Sequence, residues 1–398
     1  VVHTVVDTSA DQVETADSGN DGAQTPPPPE PAKTAERVTI RGIWSQFLDL
    51  PVSGDADQTL RYGGKADAYI DVKGSAVGID DSLSLHVHPE FKYGKSSNGE
   101  IGLIPENAQL FYPGDGDVFD LSINVTKRWK SGASLTVGKI NILDLAALTP
   151  LQGGGGHEGF QNLAVALPPS AIVPGSVTGA LINVPTEKVL LRAIIFDPEL
   201  QSRRSGLEDP FSKGVGILAS ATFPVRVGGK RGYYGIKFAG STRSEVAAGS
   251  LPAALVPGPG SSFGNRKGEF SVILTVDQYL SEDAAVPGNG IGIFGQLYLS
   301  NGDPTFLDAS GFIGIAGNPK KRPQDRFGVT YFRYSLADGL VNALRNRIPL
   351  QDEEGVEAFY TVGLAKTLRL TGNLQIVDSA ISPRAVGITT GLRLTALF

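Results

Sequence analysis

From about residue 38 to the C-terminus, apolar and polar side chains alternate with period two, and almost no stretch carries the 3.6-residue period of a helix. Such alternation marks strands whose two faces meet different surroundings. The last segment is the clearest: Val386, Ile388, Leu392, Leu394, Ala396 and Phe398 share one face, and Gly387, Thr389, Arg393 and Thr395 the other. In 118–128, Val118, Leu121, Ile123 and Val125 stand against Asp120, Ser122, Asn124, Thr126 and Arg128, with one irregularity near Phe119. In 368–377, Leu368, Leu370, Leu374 and Ile376 oppose Arg369, Thr371, Asn373 and Gln375. Sixteen such runs are predicted, at 38–50, 62–73, 82–92, 118–129, 132–142, 177–184, 187–197, 214–225, 231–243, 268–280, 289–300, 308–317, 323–335, 355–366, 367–378 and 384–398. Most approach the ~9–11 residues that a tilted strand needs to cross a bilayer.

Connection lengths sort by parity. The short ones are 130–131, 185–186, 226–230, 318–322 and almost nothing between Lys366 and Thr367; the intervening ones are often long, at 93–117, 143–176, 198–213, 244–267 and 336–354. A soluble sandwich has no reason to sort its loops this way. The expected fold is therefore all-β: a closed antiparallel transmembrane β-barrel of about 16 strands, with long extracellular loops, short periplasmic turns, and both termini on the short-turn side. Closure leaves no sheet edge, so every backbone N–H and C=O in the hydrocarbon finds a partner.

Alternation alone does not say which face meets lipid. A barrel of this size encloses a lumen too wide for wall side chains to fill. Charges also recur mid-strand on the polar face: Lys65, Asp67 and Asp71; His86, His88 and Glu90; Lys237 and Arg243; Glu357; Arg393. In a dry core these would cost several kcal/mol each, as an order of magnitude, whereas a hydrated lumen solvates them. The apolar face is thus expected to look outward. Aromatic residues placed near strand ends (Trp44, Tyr93, Trp129, Tyr234, Tyr331, Phe398) suit interfacial girdles.

Composition adds exclusions. With no Cys, a disulfide framework, thiolate catalysis and Cys-ligated zinc are ruled out. Gly is abundant, at 50 of 398 residues, and no apolar run is long enough for a membrane helix. The chain does not begin with Met, as expected where a targeting segment has been removed. Residues 1–37 hold seven acids against Lys33 and Arg37, plus the run Pro26 to Pro29, and read as a disordered acidic, Pro-rich tail. The remainder, 38–398, has 33 basic and 34 acidic residues, which gives no electrostatic case for nucleic acid.

Several segments carry a family likeness. They include Gly63–Gly64–Lys65–Ala66–Asp67, Leu83–Ser84–Leu85–His86–Val87–His88, and Gly138–Lys139–Ile140–Asn141 running on to Leu143–Asp144–Leu145. Further along are Gly159–Phe160–Gln161–Asn162 to Ala166–Leu167–Pro168–Pro169, with Gln161 where an apolar residue is common, and Ser300–Asn301–Gly302–Asp303–Pro304. Asp352 to Tyr360, Leu374–Gln375–Ile376–Val377–Asp378 and the terminal Phe398 complete the set. Over about 62–398 the chain resembles the carbohydrate-selective porins of Gram-negative outer membranes, the OprB-type family. The resemblance implies a sixteen-stranded barrel that passes sugars by facilitated diffusion. It also implies that Phe398 is similar to the signal read by outer-membrane assembly machinery.

Candidate pore-lining residues follow from the polar face. His86 and His88 share a face with Glu90; such a set could hold a metal, could simply line a wet lumen as polar residues, or could contact solute hydroxyls, for which imidazole donates and accepts and carboxylate accepts. Gly153–Gly156 followed by His157 and Glu158 lacks the ending of a phosphate-binding loop. The preferred reading folds 143–176 into the lumen as a constriction, with His157 or Glu158 facing the solute; the alternative is a surface loop. Arg128, Arg192 and Arg243, with Lys65, Lys237, Asp67 and Asp71, could form basic and acidic walls that orient dipolar solutes. Lys320–Lys321–Arg322 falls in a predicted turn and reads as solvated. The four histidines (His3, His86, His88, His157) lie in no catalytic arrangement. The expectation is a non-enzymatic, multi-pass outer-membrane porin for small neutral solutes, in particular sugars, as a monomer or trimer in lipid, with no cofactor and no nucleic-acid partner. The alternatives are a general or organic-acid porin and a closed-lumen outer-membrane protein.

Overall fold

The computed structural model describes residues 37–398 except 111–115, 153–156, 168–171, 203, 244–254, 258–260, 262, 265, 284–285, 287 and 302–303. The tail reading for 1–36 and the glycine run 153–156 lie outside the described residues. Sixteen strands run in chain order: Val38–Ser53 (β1), Arg61–Lys73 (β2), Leu83–Gly94 (β3), Val118–Arg128 (β4), Ser134–Asn141 (β5), Ser176–Pro185 (β6), Leu190–Phe196 (β7), Gly216–Val227 (β8), Lys230–Ser241 (β9), Glu269–Glu282 (β10), Gly290–Ser300 (β11), Leu307–Gly317 (β12), Arg326–Leu336 (β13), Glu353–Ala365 (β14), Leu368–Asp378 (β15) and Gly387–Leu397 (β16). Every predicted strand is present, with ends displaced by three residues at most. Each strand pairs antiparallel with its neighbours in sequence, and β1 pairs with β16 to close the barrel. At that seam the Phe398 N–H donates to the Gly42 carbonyl at 2.9 Å, so the C-terminal residue completes the ladder.

The outer face is apolar and open to its surroundings. Ile40, Ile123, Ile313, Leu374 and Leu392 are all exposed there. The irregularity expected at 118–119 disappears: Val118 points inward and is buried, while Phe119 takes the outer face. β4 therefore alternates from Val118 to Val125. The outer aromatics Trp44, Trp129, Tyr234, Tyr331 and Phe398 are exposed as well.

The inner face is not uniformly polar. Phe47, Phe294, Phe312, Phe332 and Phe359 point inward and are almost fully buried. The described residues of two long connections, 95–117 and 142–175, turn into the lumen and pack on this apolar bed together with Tyr279, Tyr298 and Tyr334. Phe160 of the second connection sits with its ring centroid 4.8 Å from Phe359 and 5.4 Å from Phe294. Gly328 makes room for it, since a Cβ there would lie 2.6 Å from both the Phe160 and Phe359 rings. The second connection also carries two short helices, Ile142–Ala146 (α1) and Leu163–Ala166 (α2), each capped by an asparagine side chain that accepts a backbone N–H.

Candidate functional site

The inward loops are pinned by buried carboxylates. Glu357 on β14 accepts the N–H groups of Gln161 at 2.6 Å and Asn162 at 3.0 Å, and the Asn373 side-chain amide at 2.5 Å. Arg393 donates to the Gly159 carbonyl at 3.0 Å, and Thr361 and Thr395 donate to the carbonyls of Glu158 and His157. The first loop is held the same way: Glu353 accepts from Leu103, Ile104, Ala380 and the Tyr334 hydroxyl. Within that loop, Glu106 accepts from the N–H groups of Gly99, Ile101 and Gly102. Burial, reinforced by nearby Glu353, pushes the Glu106 carboxyl up to about 8 despite those N–H donors. The two loops also pair with each other, through Ala108 N–H to the Gln161 carbonyl and Leu163 N–H to the Pro105 carbonyl.

Between β2 and β3 the register sets Asp67 opposite Glu90, Lys65 opposite Lys92 and Asp71 opposite His86. Lys65 lies between the two acids, with Nζ 3.0 Å from Asp67 and 2.5 Å from Glu90, and Lys92 approaches Glu90 at 2.8 Å. His88 bridges Asp67 at 2.9 Å and Asp144 of α1 at 2.8 Å, with Tyr69 stacked on its ring at 4.1 Å. Lys65, Asp67, His88 and Glu90 are thus sealed into one buried network. Its water-facing fringe is Asp71, His86, Arg41 and Asp144: His86 lies 2.8 Å from Asp71, which also faces Arg41 at 3.4 Å. Two sets of metal-ligand type arise here, His86–His88–Asp144 and Asp67–His88–Glu90. In the second the Lys65 ammonium already supplies the positive charge. The third group beside the two histidines is Asp144 from a distant loop; Glu90 turns to the lysines instead.

The other sequence candidates are dispersed. His157 approaches Asp67 at 3.9 Å, and burial pulls its imidazole down to about 4. Glu158 pairs with Arg369 at 3.6 Å. Arg243 lies just past β9 against Glu269 at 2.8 Å, at the mouth on the long-loop side. Arg128 is exposed at the short-turn rim. Arg192 and Lys237 face the lumen from β7 and β9, half-buried.

Accessibility divides the inner wall. The inward side chains of β13 to β16, from Thr330 through Glu357, Thr371 and Gln375 to Thr395, are buried under the two loops. On β4 to β9 a band of Thr126, Thr136, Asn183, Arg192, Ser220, Thr222 and Lys237 keeps partial access; Asp120, Ser122 and Asn124 are buried, and Leu181, Ile194 and Phe196 pack with Ile172 of the second connection. Sequence reasoning missed Glu106, Asp144, Asn162, Glu353 and Gln375, whose roles depend on which loop folds onto which strand.

Residues 57–398 match the family model described as carbohydrate-selective porin, OprB family. No curated protein matches the chain by sequence. Among solved structures, the chain is similar to Pseudomonas putida OprB in its high-pH structure, with 16% identity, TM-score 0.74, and coverage of 91% of this chain and 94% of that one. The outer-membrane channel DcaP of Acinetobacter baumannii follows at 11% identity, TM-score 0.53, and 91% and 97% coverage. Pseudomonas aeruginosa OccK11 gives 12% identity, TM-score 0.51, and 91% and 96% coverage. At these identities the structural likenesses establish the barrel fold.

Proposed function

The chain belongs to the OprB family of carbohydrate-selective porins, and on that footing we propose that sugars pass along the β2–β9 wall, narrowed by the inward-folded 142–175 connection. The protein is a non-enzymatic diffusion channel of the Gram-negative outer membrane, and carbohydrates are its solutes. The observation that carries the proposed path is the division of the inner wall: two pinned loops cover the β13–β16 side, while a band across β4–β9, made of Thr126, Thr136, Asn183, Arg192, Ser220, Thr222 and Lys237, keeps partial access.

In this reading the buried Lys65–Asp67–His88–Glu90 network is a rigid backing. Asp71, His86, Arg41 and Asp144 present hydrogen-bonding groups that replace part of a sugar's hydration shell. Contacts of this kind, each weak and made in succession, let a solute enter without being trapped. The closed β1–β16 seam puts a complete lumen within one chain, so a monomer and a trimer would offer the same path.

The test is single-channel current through purified protein in planar bilayers with a graded sugar series. Reversible block by mono- and oligosaccharides, weakened in D71N/H86Q, is expected. A channel that passes ions with no block by any sugar would refute the assigned path, and a protein that opens no channel would refute passage altogether.

A further inference from the structure

Cross-strand register assembles a polar row that the constriction does not use. Arg128 on β4 pairs with Ser134 on β5, Ser134 with Asn183, Asn183 with Arg192, Arg192 with Ser220, and Ser220 with Lys237 on β9. Directly paired residues share a face, and here it is the inner one. The row therefore holds three cations and three neutral hydrogen-bonding side chains, with no acid among its six members. It also climbs. Arg128 ends its strand at the short-turn rim, Arg192 is two residues inside β7, and Lys237 is seven residues from the start of β9. At ~3.3 Å per residue, that puts Lys237 roughly 23 Å along its strand from the same rim.

The charge state of this row differs from that of most lumen cations. Lys65, Lys92, Lys139, Arg41, Arg231 and Arg369 each have a carboxylate partner. Among the described residues, Arg192 and Lys237 make no ion pair and no side-chain hydrogen bond, and the Arg192 Nε is buried without a partner. Asp277 on β10, the acid whose charge reaches Lys237, stays beyond ion-pair distance. A half-buried guanidinium lacking an acceptor is costly, and an oxyanion from the passing solute would satisfy it, with the guanidinium fork and the ammonium gripping one group from two strands.

We propose that the Arg192–Ser220–Lys237 segment of this row is a binding subsite for the oxyanion of an acidic monosaccharide, a carboxylate or a phosphate, and that Arg128 lies on its way out toward the periplasm. Asn183 and Ser220 supply the neutral partners for adjacent hydroxyls. The inference rests on the proposed sugar passage and narrows its solutes to a charge class.

Purified full-length protein in planar bilayers tests it with glucose, glucosamine, glucuronate and glucose 6-phosphate, which share a ring and differ in charge. Glucuronate is expected to half-block the current at a concentration about tenfold or more below that for glucosamine, the worth of one charge-assisted hydrogen bond. Comparison with glucose 6-phosphate tells carboxylate from phosphate. In R192Q/K237Q the glucuronate preference should shrink to within about twofold, while glucose block moves far less; in R192K/K237R, which keeps both charges, the preference should persist. Equal block by glucuronate and glucosamine in the unaltered protein would overturn the subsite while glucose block still upheld the sugar path. A preference that survived R192Q/K237Q would overturn the assignment to these two residues. Absence of block by all four sugars would instead refute the passage itself.

Discussion

Replacing Glu357 by alanine should release the inner loop without opening the barrel. The carboxylate holds two backbone N–H groups, of Gln161 and Asn162, and the Asn373 amide. Each buried donor left without an acceptor costs about 1–3 kcal/mol. The total, about 3–9 kcal/mol, falls on the docked state of 157–162. The strands keep their own ladders, so the loop can escape the penalty by leaving the wall, at the expense of Phe160 burial, about 1.5–3 kcal/mol. A net loss of even ~3 kcal/mol multiplies the undocked population about a hundredfold. Single-channel recording should show higher conductance, more open-state noise and weaker sugar block, and limited proteolysis should cut near residue 160. E357Q keeps one acceptor oxygen and should be intermediate. Conductance, block and proteolysis indistinguishable from the parent protein in E357A would refute the pinning argument.

Three further outcomes follow from the geometry. Ile313, at 64% exposure on the outer face, should tolerate arginine poorly, by about 2–4 kcal/mol near the bilayer midplane, while arginine at inward Thr222 should cost far less; urea unfolding in lipid vesicles reads the difference, and the reverse order would mean the faces are assigned inside out. Lys65→Met strands Asp67 and Glu90 without their cation and should destabilise by about 3–5 kcal/mol, a loss absent if the network were solvated. His157 has its imidazole lowered to about 4 by burial, so the docked loop binds fewer protons than a released one between pH 6.5 and 4; docking is fully present above pH 6.5 and weakens as pH falls through that window, which should appear as conductance rising below pH 6.5 and flattened by H157Q.

The barrel was legible because its cause is repeated in every strand. Lipid demands an apolar group at each second position, and turns on one rim need only span adjacent strands, so both period and loop parity are local signals. Parts of the site were legible for the same reason: Lys65 and Asp67, or His86, His88 and Glu90, stand two apart on one strand and must share a face. What the strand pattern lacks is any record of loop docking. Asp144 reaches His88 from a helix 56 positions away, and Glu357 looks along its strand like a solvated wall charge, although it accepts N–H groups from a loop nearly two hundred positions upstream. Reading the charges as solvent-facing puts Lys65, Asp67, His88 and Glu90 in open water, whereas the structure buries all four in one network.

The inward phenylalanines explain where the water path can lie. A strand that faces lipid on one side and polar surroundings on the other alternates cleanly, as β4 and β16 do. β12 does not: Phe312 and Ala316 point inward while Ile313 and Ile315 point out, and both faces are apolar. An apolar inner face in an otherwise hydrated lumen requires a cover, and 95–117 and 142–175 supply it with Ile101, Leu103, Leu151 and Phe160. Blurred alternation on the β10–β14 side is thus the trace of an apolar inner wall that the loops cover, and crisp alternation, as on β16, the trace of a polar one. The same logic separates the charges. On the filled side a buried acid must find N–H donors or a cation, as Glu353 and Glu357 do; across β7–β9 the buried Arg192 Nε is left without an acceptor, a cost that the proposed oxyanion would relieve.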